Sequence, residues 1–159
     1  MKKTSQIAWN ARVGPAGNAR RQLPLLVGAY LDEVRGLLAT DPPPAELHTI
    51  RLATKRLRYT LELFRPCYGP GLEARLTALQ RLQQTLGEVN DCAAAERLIE
   101  GMPPASAART KVRDFLRRQA SAKAVALRRQ WHDTFDAPGR EHWWLQYLAR
   151  NSRVRKLQL

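Results

Sequence analysis

Acidic residues are scarce in this chain: 14 Asp and Glu stand against 27 Lys and Arg, a formal net charge of +13 over 159 residues. A field of that sign repels other copies of the chain and draws in polyanions. Nucleic acid, polyphosphate, anionic lipid and acidic proteins all fit it. Cysteine is nearly absent. Cys67 and Cys92 are too few for a disulfide framework, and they fall in separate expected elements. A reduced, cytoplasmic protein is the simplest reading. Long apolar runs are missing as well. The longest, residues 23–31, contains Pro24 and Gly28 and is too short to span a bilayer. It begins late and lacks a small-residue cleavage site, so neither a signal peptide nor a membrane partner is expected. Catalytic signatures are also lacking. The chain has no Gly-rich phosphate loop, no G-x-S-x-G and no H-E-x-x-H. His48, His132 and His142 stand at no metal-ligand spacing with either cysteine. A non-catalytic chain without metal or cofactor is therefore expected. Glu88 and Asp91 could hold Mg²⁺, but Asp91 suits helix capping better.

What is present is helical. Hydrophobic residues make up 44% of the chain, enough for one folded domain with a sizeable core. Residues 1–20 show little periodicity, carry Gly14, Pro15 and Gly17, and read as a loose arm. A first helix is predicted over 21–39, where Leu26, Tyr30, Leu31, Val34, Leu37 and Leu38 recur at helical spacing and Pro24 suits the first turn. Pro42, Pro43 and Pro44 stop it. A second helix is predicted over 45–65, free of Gly and Pro and ended by Pro66. A third runs over 72–86 with Gly87 near its C-terminus, and Asn90 or Asp91 caps a short helix to residue 100. Pro103 and Pro104 break the chain. Ser106 caps a fourth long helix to residue 135, and a short helix over 140–149 follows Pro138 and Gly139. Trp131, Trp143 and Trp144 read as core or interface residues. Residues 150–159 form a basic tail carrying Arg150, Arg153, Arg155 and Lys156. No strand-like alternation of useful length occurs. The expected class is all-α: an antiparallel four-helix bundle with long helices and a short C-terminal helix, one domain over 21–149.

The second helix carries the chemistry. At about 100° per residue, His48, Arg51, Lys55 and Arg58 fall within a stripe roughly 80° wide, and Arg65 extends it. Ile50, Ala53, Leu57, Leu61 and Phe64 form a separate apolar stripe for the core. Like charges on one stripe repel by about a few tenths of a kcal/mol per pair, and only Glu62 interrupts this one. Something acidic must offset that repulsion: either a bound polyanion, or acids from the region that holds Glu88, Asp91, Glu96 and Glu100. The fourth helix adds Arg109, Arg113 and Arg117 at i, i+4, i+8. If the second and fourth helices are neighbours, two cationic ridges line one groove. Repeated phosphates suit such a surface, because Arg forks bind their oxygens in pairs and Lys acts as a mobile point charge. Arg21, Arg56, Arg65, Lys111 and Lys123 are outlying members of the same basic set. Apart from Tyr59, no aromatic interleaves with the ridge, and no helix-turn-helix, RNP-like or zinc-finger spacing is evident. This favours a baseless phosphate chain over nucleic acid.

The stretch Leu47-His48-Thr49-Ile50-Arg51-Leu52-Ala53-Thr54-Lys55-Arg56-Leu57-Arg58-Tyr59, with Leu61-Glu62 after it, resembles the signature helix of the CHAD family, the conserved-histidine α-helical domains. Leu82-Gln83-Gln84-Thr85-Leu86-Gly87-Glu88-Val89-Asn90-Asp91 resembles that family's second motif. The resemblance implies an all-helical domain that binds inorganic polyphosphate through a basic surface, in some relatives on polyphosphate granules. It implies that His48, Arg51, Lys55 and Arg58 contact phosphate. Family members carry two such bundles, whereas this chain carries one His-containing helix and looks like the second half. A homodimer that rebuilds the pair is one expectation. Three functional readings stand side by side: a polyphosphate-binding module, a nucleic-acid-binding protein, and a helical adaptor for an acidic protein.

Overall fold

The computed structural model describes residues 8–103 and 106–150. Residues 1–7 of the expected arm and the basic tail beyond Arg150 lie outside it. Among the described residues five α-helices follow one another: α1 Pro15–Leu38, α2 Pro44–Leu63, α3 Gly71–Glu100, α4 Ala107–Trp131 and α5 Arg140–Arg150. No strand occurs among the described residues.

Local chemistry explains most of the boundaries. Pro15 and Pro44 open α1 and α2, where a missing N–H costs nothing and the fixed φ fits the helix. After α2 the chain tightens into a 3₁₀ turn, Arg65–Cys67, at Pro66. Ser106 caps α4 by accepting a hydrogen bond from the Arg109 backbone N–H (3.2 Å). The chain then passes through a π-helical turn, His132–Asp136, and turns at Gly139, whose φ of 83° suits glycine.

Two expectations are corrected. The loose arm does not extend to residue 20, because α1 begins at Pro15. Asn18, buried in its first turn, gathers the preceding segment. Its Nδ2 donates to the carbonyls of Asn10 (3.0 Å), Val13 (2.7 Å) and Gly14 (3.2 Å), and its Oδ1 accepts from Asn10 N–H (2.8 Å). Pro24 consequently sits inside α1 rather than in its first turn. The third helix does not stop at Gly87, and neither Asn90 nor Asp91 caps a new one. One helix of 30 residues runs through them.

The helices pack antiparallel. Tyr30 of α1 meets Thr54 of α2, and Arg58 of α2 meets Gln83 of α3. Lys123 and Arg117 of α4 reach Glu88 and Glu96 of α3 in reverse order. The core is leucine-rich: Leu23 and Leu31 from α1, Ile50, Leu57 and Leu61 from α2, Leu72, Leu79, Leu82 and Leu86 from α3. Each such side chain contributes about 1.5–3 kcal/mol on leaving water. Trp131, Phe135 and Trp144 stack in series beneath them and join α4 to α5. Inside this core Thr54 donates to the Ile50 carbonyl, so the Tyr30 hydroxyl donates to Thr54 Oγ1 (2.8 Å). Arg35 ties α1 to the C-terminal region through Asp136 (2.6 Å) and Glu141 (2.9 Å).

Candidate functional site: a basic ridge beside the α2–α3 groove

Helical spacing puts the apolar stripe of α2 into the core, with Leu47, Ile50, Thr54, Leu57 and Leu61 buried. The basic stripe is thereby turned to the edge that adjoins α3. Arg51, Lys55 and Arg58 are half-buried, and His48 is exposed at the N-terminal end. The line from His48 to Arg58 spans about 15 Å at 1.5 Å per residue.

A concavity of about 270 Å³ lies between the two helices, lined by Arg51, Arg58, Gln80, Gln83, Gln84 and Gly87. Gly87 lies in mid-helix at the wall of this concavity and caps nothing. A Cβ at that position would sit 3.7 Å from Arg51 Nε, so the arginine lies closely along α3. That Nε is sealed from solvent and has no hydrogen-bond partner, an unpaired donor at the wall of the groove. Arg58 is held three ways. Its Nε donates to Gln83 Oε1 (3.2 Å), its Nη1 donates to Glu62 (2.7 Å), and its guanidinium stacks 4.6 Å from the Tyr59 ring centroid. Lys55 Nζ lies 5.6 Å from the same ring. Tyr59 therefore gathers two cations rather than presenting a bare stacking platform.

Of the acids expected to neutralise this ridge, Glu88, Glu96 and Glu100 are engaged by α4, whereas Asp91 is exposed and in no ion pair among the described residues. Lys123 Nζ donates to Glu88 (2.7 Å), and Arg117 pairs with Glu96 and with Glu100 (3.3 Å). The Lys123 ammonium holds the Glu88 carboxyl below its ordinary range, and Glu88 in return raises the Lys123 pKa. Glu62 is the one acid in an ion pair with His48, Arg51, Lys55 or Arg58 among the described residues.

The fourth-helix cations do not join the groove. α3 lies between α2 and α4 and makes the broad contacts with each; α2 and α4 do not pack broadly on one another. Arg109 donates to the carbonyls of Glu100 and Met102, Arg113 pairs with Asp114 (3.5 Å), and Arg117 is held by α3. Their shared i, i+4, i+8 face is turned onto α3, so the expectation of two ridges lining one groove is corrected. Of the outlying residues, Arg65 pairs with Glu73 (2.8 Å) and Lys123 with Glu88, while Arg21, Arg56 and Lys111 are exposed. The residues that sequence reasoning missed are Gln80, Gln83, Gln84 and Gly87. Their spacing of three, one and three residues places them on one helical face, but that signal is lost once Gly87 is read as a helix end.

Among the described residues no group of three or more His, Cys, Asp and Glu side chains converges to hold a metal ion. No described helix is long and apolar enough to cross a membrane. Fold and site thus define a domain that is all-helical over the described residues, with a groove lined by Arg51 and Arg58 between α2 and α3. Residues 7–100, more than half of the chain, match the family model of the CHAD domain, and the chain belongs to the CHAD family. The match spans α1–α3 and the groove; α4 and α5 lie beyond it. No curated protein and no solved structure matched the chain.

Proposed function

We propose that this chain is a non-catalytic module that binds inorganic polyphosphate along the α2 ridge, with a place on polyphosphate granules. One observation carries the reading. A line of His48, Arg51, Lys55 and Arg58 borders a groove, Glu88 and Glu96 are paired with α4, and Glu62 on Arg58 is the one acid paired with the line among the described residues, so a cationic excess is left for a ligand. Membership of the CHAD family supports the same choice. Arg51 and Arg58 give paired donors to phosphate oxygens, Lys55 gives a mobile charge, and His48 extends the line. The carboxamides of Gln80 and Gln84 add neutral donors on the opposite wall. Arg109, Arg113 and Arg117 are secondary in this reading, since phosphate would first have to displace their partners on α3 and α4.

The test is binding of long-chain polyphosphate at about 150 mM salt, with short DNA and RNA as competitors. Wild-type binding should resist both competitors. It should fall at least tenfold in the Arg51→Ala, Lys55→Ala, Arg58→Ala triple variant and little in the Arg109→Ala, Arg113→Ala, Arg117→Ala variant. Binding that survives loss of the α2 ridge, or that nucleic acid displaces, would overturn the reading.

A further inference from the structure

Half of the α3–α4 pair stands clear of the core. Residues 90–100 of α3 and 107–126 of α4 contribute no buried side chain. Along this stretch α4 carries Ala108, Val112, Phe115, Gln119, Ala122 and Ala126, all exposed. Val112 and Phe115 keep 43% and 52% of their surface in water. The six positions alternate in steps of four and three residues, the spacing of heptad a and d positions, and fall on a stripe roughly 80° wide. None is charged, although the chain carries 41 ionisable Lys, Arg, Asp and Glu residues (27 + 14). The face is distinct from the one α4 spends on α3, where Arg117 and Lys123 are paired and Leu127 and Trp131 are buried. Leu98, 69% exposed, and Met102, 58% exposed, continue apolar surface to the tip of the hairpin.

Charge decides the occupant. Lys111 and Arg118 border the seam at one flank, are exposed, and make no ion pair among the described residues. A second copy of this chain would bring the same cations against them, and such like-charge contacts disfavour pairing. We propose that this face of α4 docks an amphipathic helix of another protein, apolar at its own a and d positions and acidic beside them. Small residues at 108, 122 and 126 leave holes for that helix's larger side chains, and Phe115 supplies the knob between them. Carboxylates of the incoming helix meet Lys111 and Arg118, which sets its register. The site is separate from the α2–α3 groove and does not rest on polyphosphate binding.

The test uses the full chain and two synthetic peptides of about four heptads. Both carry Leu at a and d; one is flanked by Glu and its twin by Lys. Fluorescence anisotropy at about 150 mM salt reads binding. The Glu-flanked peptide is expected to bind and the Lys-flanked one not to. Phe115→Glu, at an exposed site that leaves the core intact, should weaken binding at least tenfold. The Lys111→Glu, Arg118→Glu pair should transfer preference to the Lys-flanked peptide. The α2 triple variant should bind the peptide as the wild type does. The proposal is overturned if neither peptide binds. It is equally overturned if binding survives Phe115→Glu but is lost with the α2 ridge. Self-association of the wild type that Phe115→Glu abolishes would give the face to a second copy and overturn it too.

Discussion

Arg75 is the most constrained cation in the molecule. It is 3% exposed, and its guanidinium lies 3.5 Å from the Trp143 ring centroid and 3.9 Å from that of Tyr147. It donates to the Gly71 carbonyl (2.9 Å) and to that of Trp143. Burial draws its pKa down to about 10, with Tyr147 opposing the shift. The side chain clamps α5 onto the start of α3, so it belongs to the fold and not to the proposed phosphate site. Desolvated cation–π contacts contribute about 2 kcal/mol and charged hydrogen bonds about 1.5–3 kcal/mol each, offset by the cost of burying the charge. Arg75→Ala is expected to cost about 3 kcal/mol by urea denaturation, and Arg75→Lys to recover little of it, because an ammonium cannot stack between two rings. Glu62 is the opposite case, a residue that opposes the proposed function. It holds Arg58 at 2.7 Å in a partly exposed pair of the kind that contributes under about 1 kcal/mol. Glu62→Gln frees that guanidinium, and polyphosphate affinity measured by titration calorimetry should rise about threefold. Unchanged affinity would place the ligand away from Arg58.

Among the elements, α3 separates what the sequence discloses from what it hides. The amphipathic stripe of α2, its proline ends and the Ser106 cap of α4 are local patterns, and the structure reproduces them to within a few residues. Gly87 and Asn90-Asp91 are local patterns too, and there they mislead. Buried Leu86 and Val89 on either side of Gly87 hold the helix together against a penalty of about 1 kcal/mol for a mid-helix glycine. Which helices adjoin is not local at all. Charge spacing showed two ridges, but only the packed structure shows that α3 stands between them and absorbs the second. Gly87→Ala tests whether the groove needs a glycine at that position. Its Cβ would meet Arg51 Nε at an ordinary 3.7 Å, so the variant should gain about 0.5–1 kcal/mol in thermal unfolding while its groove still binds polyphosphate. The projecting half of α3–α4 makes a further prediction. With no buried side chain over 90–100 or 107–126, its amides should exchange with solvent well before those of residues 72–89. Uniform protection along α3 would show that this hairpin opens only with the whole domain.

At the scale of the whole molecule, the response to alkaline pH follows from buried acids that stay protonated in the fold. Burial raises the hydroxyl pKa of Tyr30, partly relieved by Thr54, and burial raises that of Tyr68. Both hydroxyls are neutral donors in the fold, Tyr30 to Thr54 and Tyr68 to the Leu148 carbonyl (2.8 Å). Below pH 10 they are protonated in folded and unfolded chains alike and add no pH dependence. Above pH 10 the unfolded chain releases these protons while the folded chain keeps them, so stability falls as pH rises. Burial raises the Cys67 thiol pKa as well, which acts in the same direction. Each acid held protonated in the fold while the unfolded chain ionises contributes a loss of up to about 1.4 kcal/mol per pH unit. Urea midpoints at pH 9, 10 and 11, read beside tyrosinate absorbance, measure that slope directly. Tyr30→Phe cannot ionise and should remove one tyrosine's share of it, at the cost of the bond to Thr54. A flat stability across this range would mean that Tyr30 and Tyr68 ionise without unfolding. Water would then reach the seam between α1 and α2 and the packing of α5, the two places where the bundle is closed.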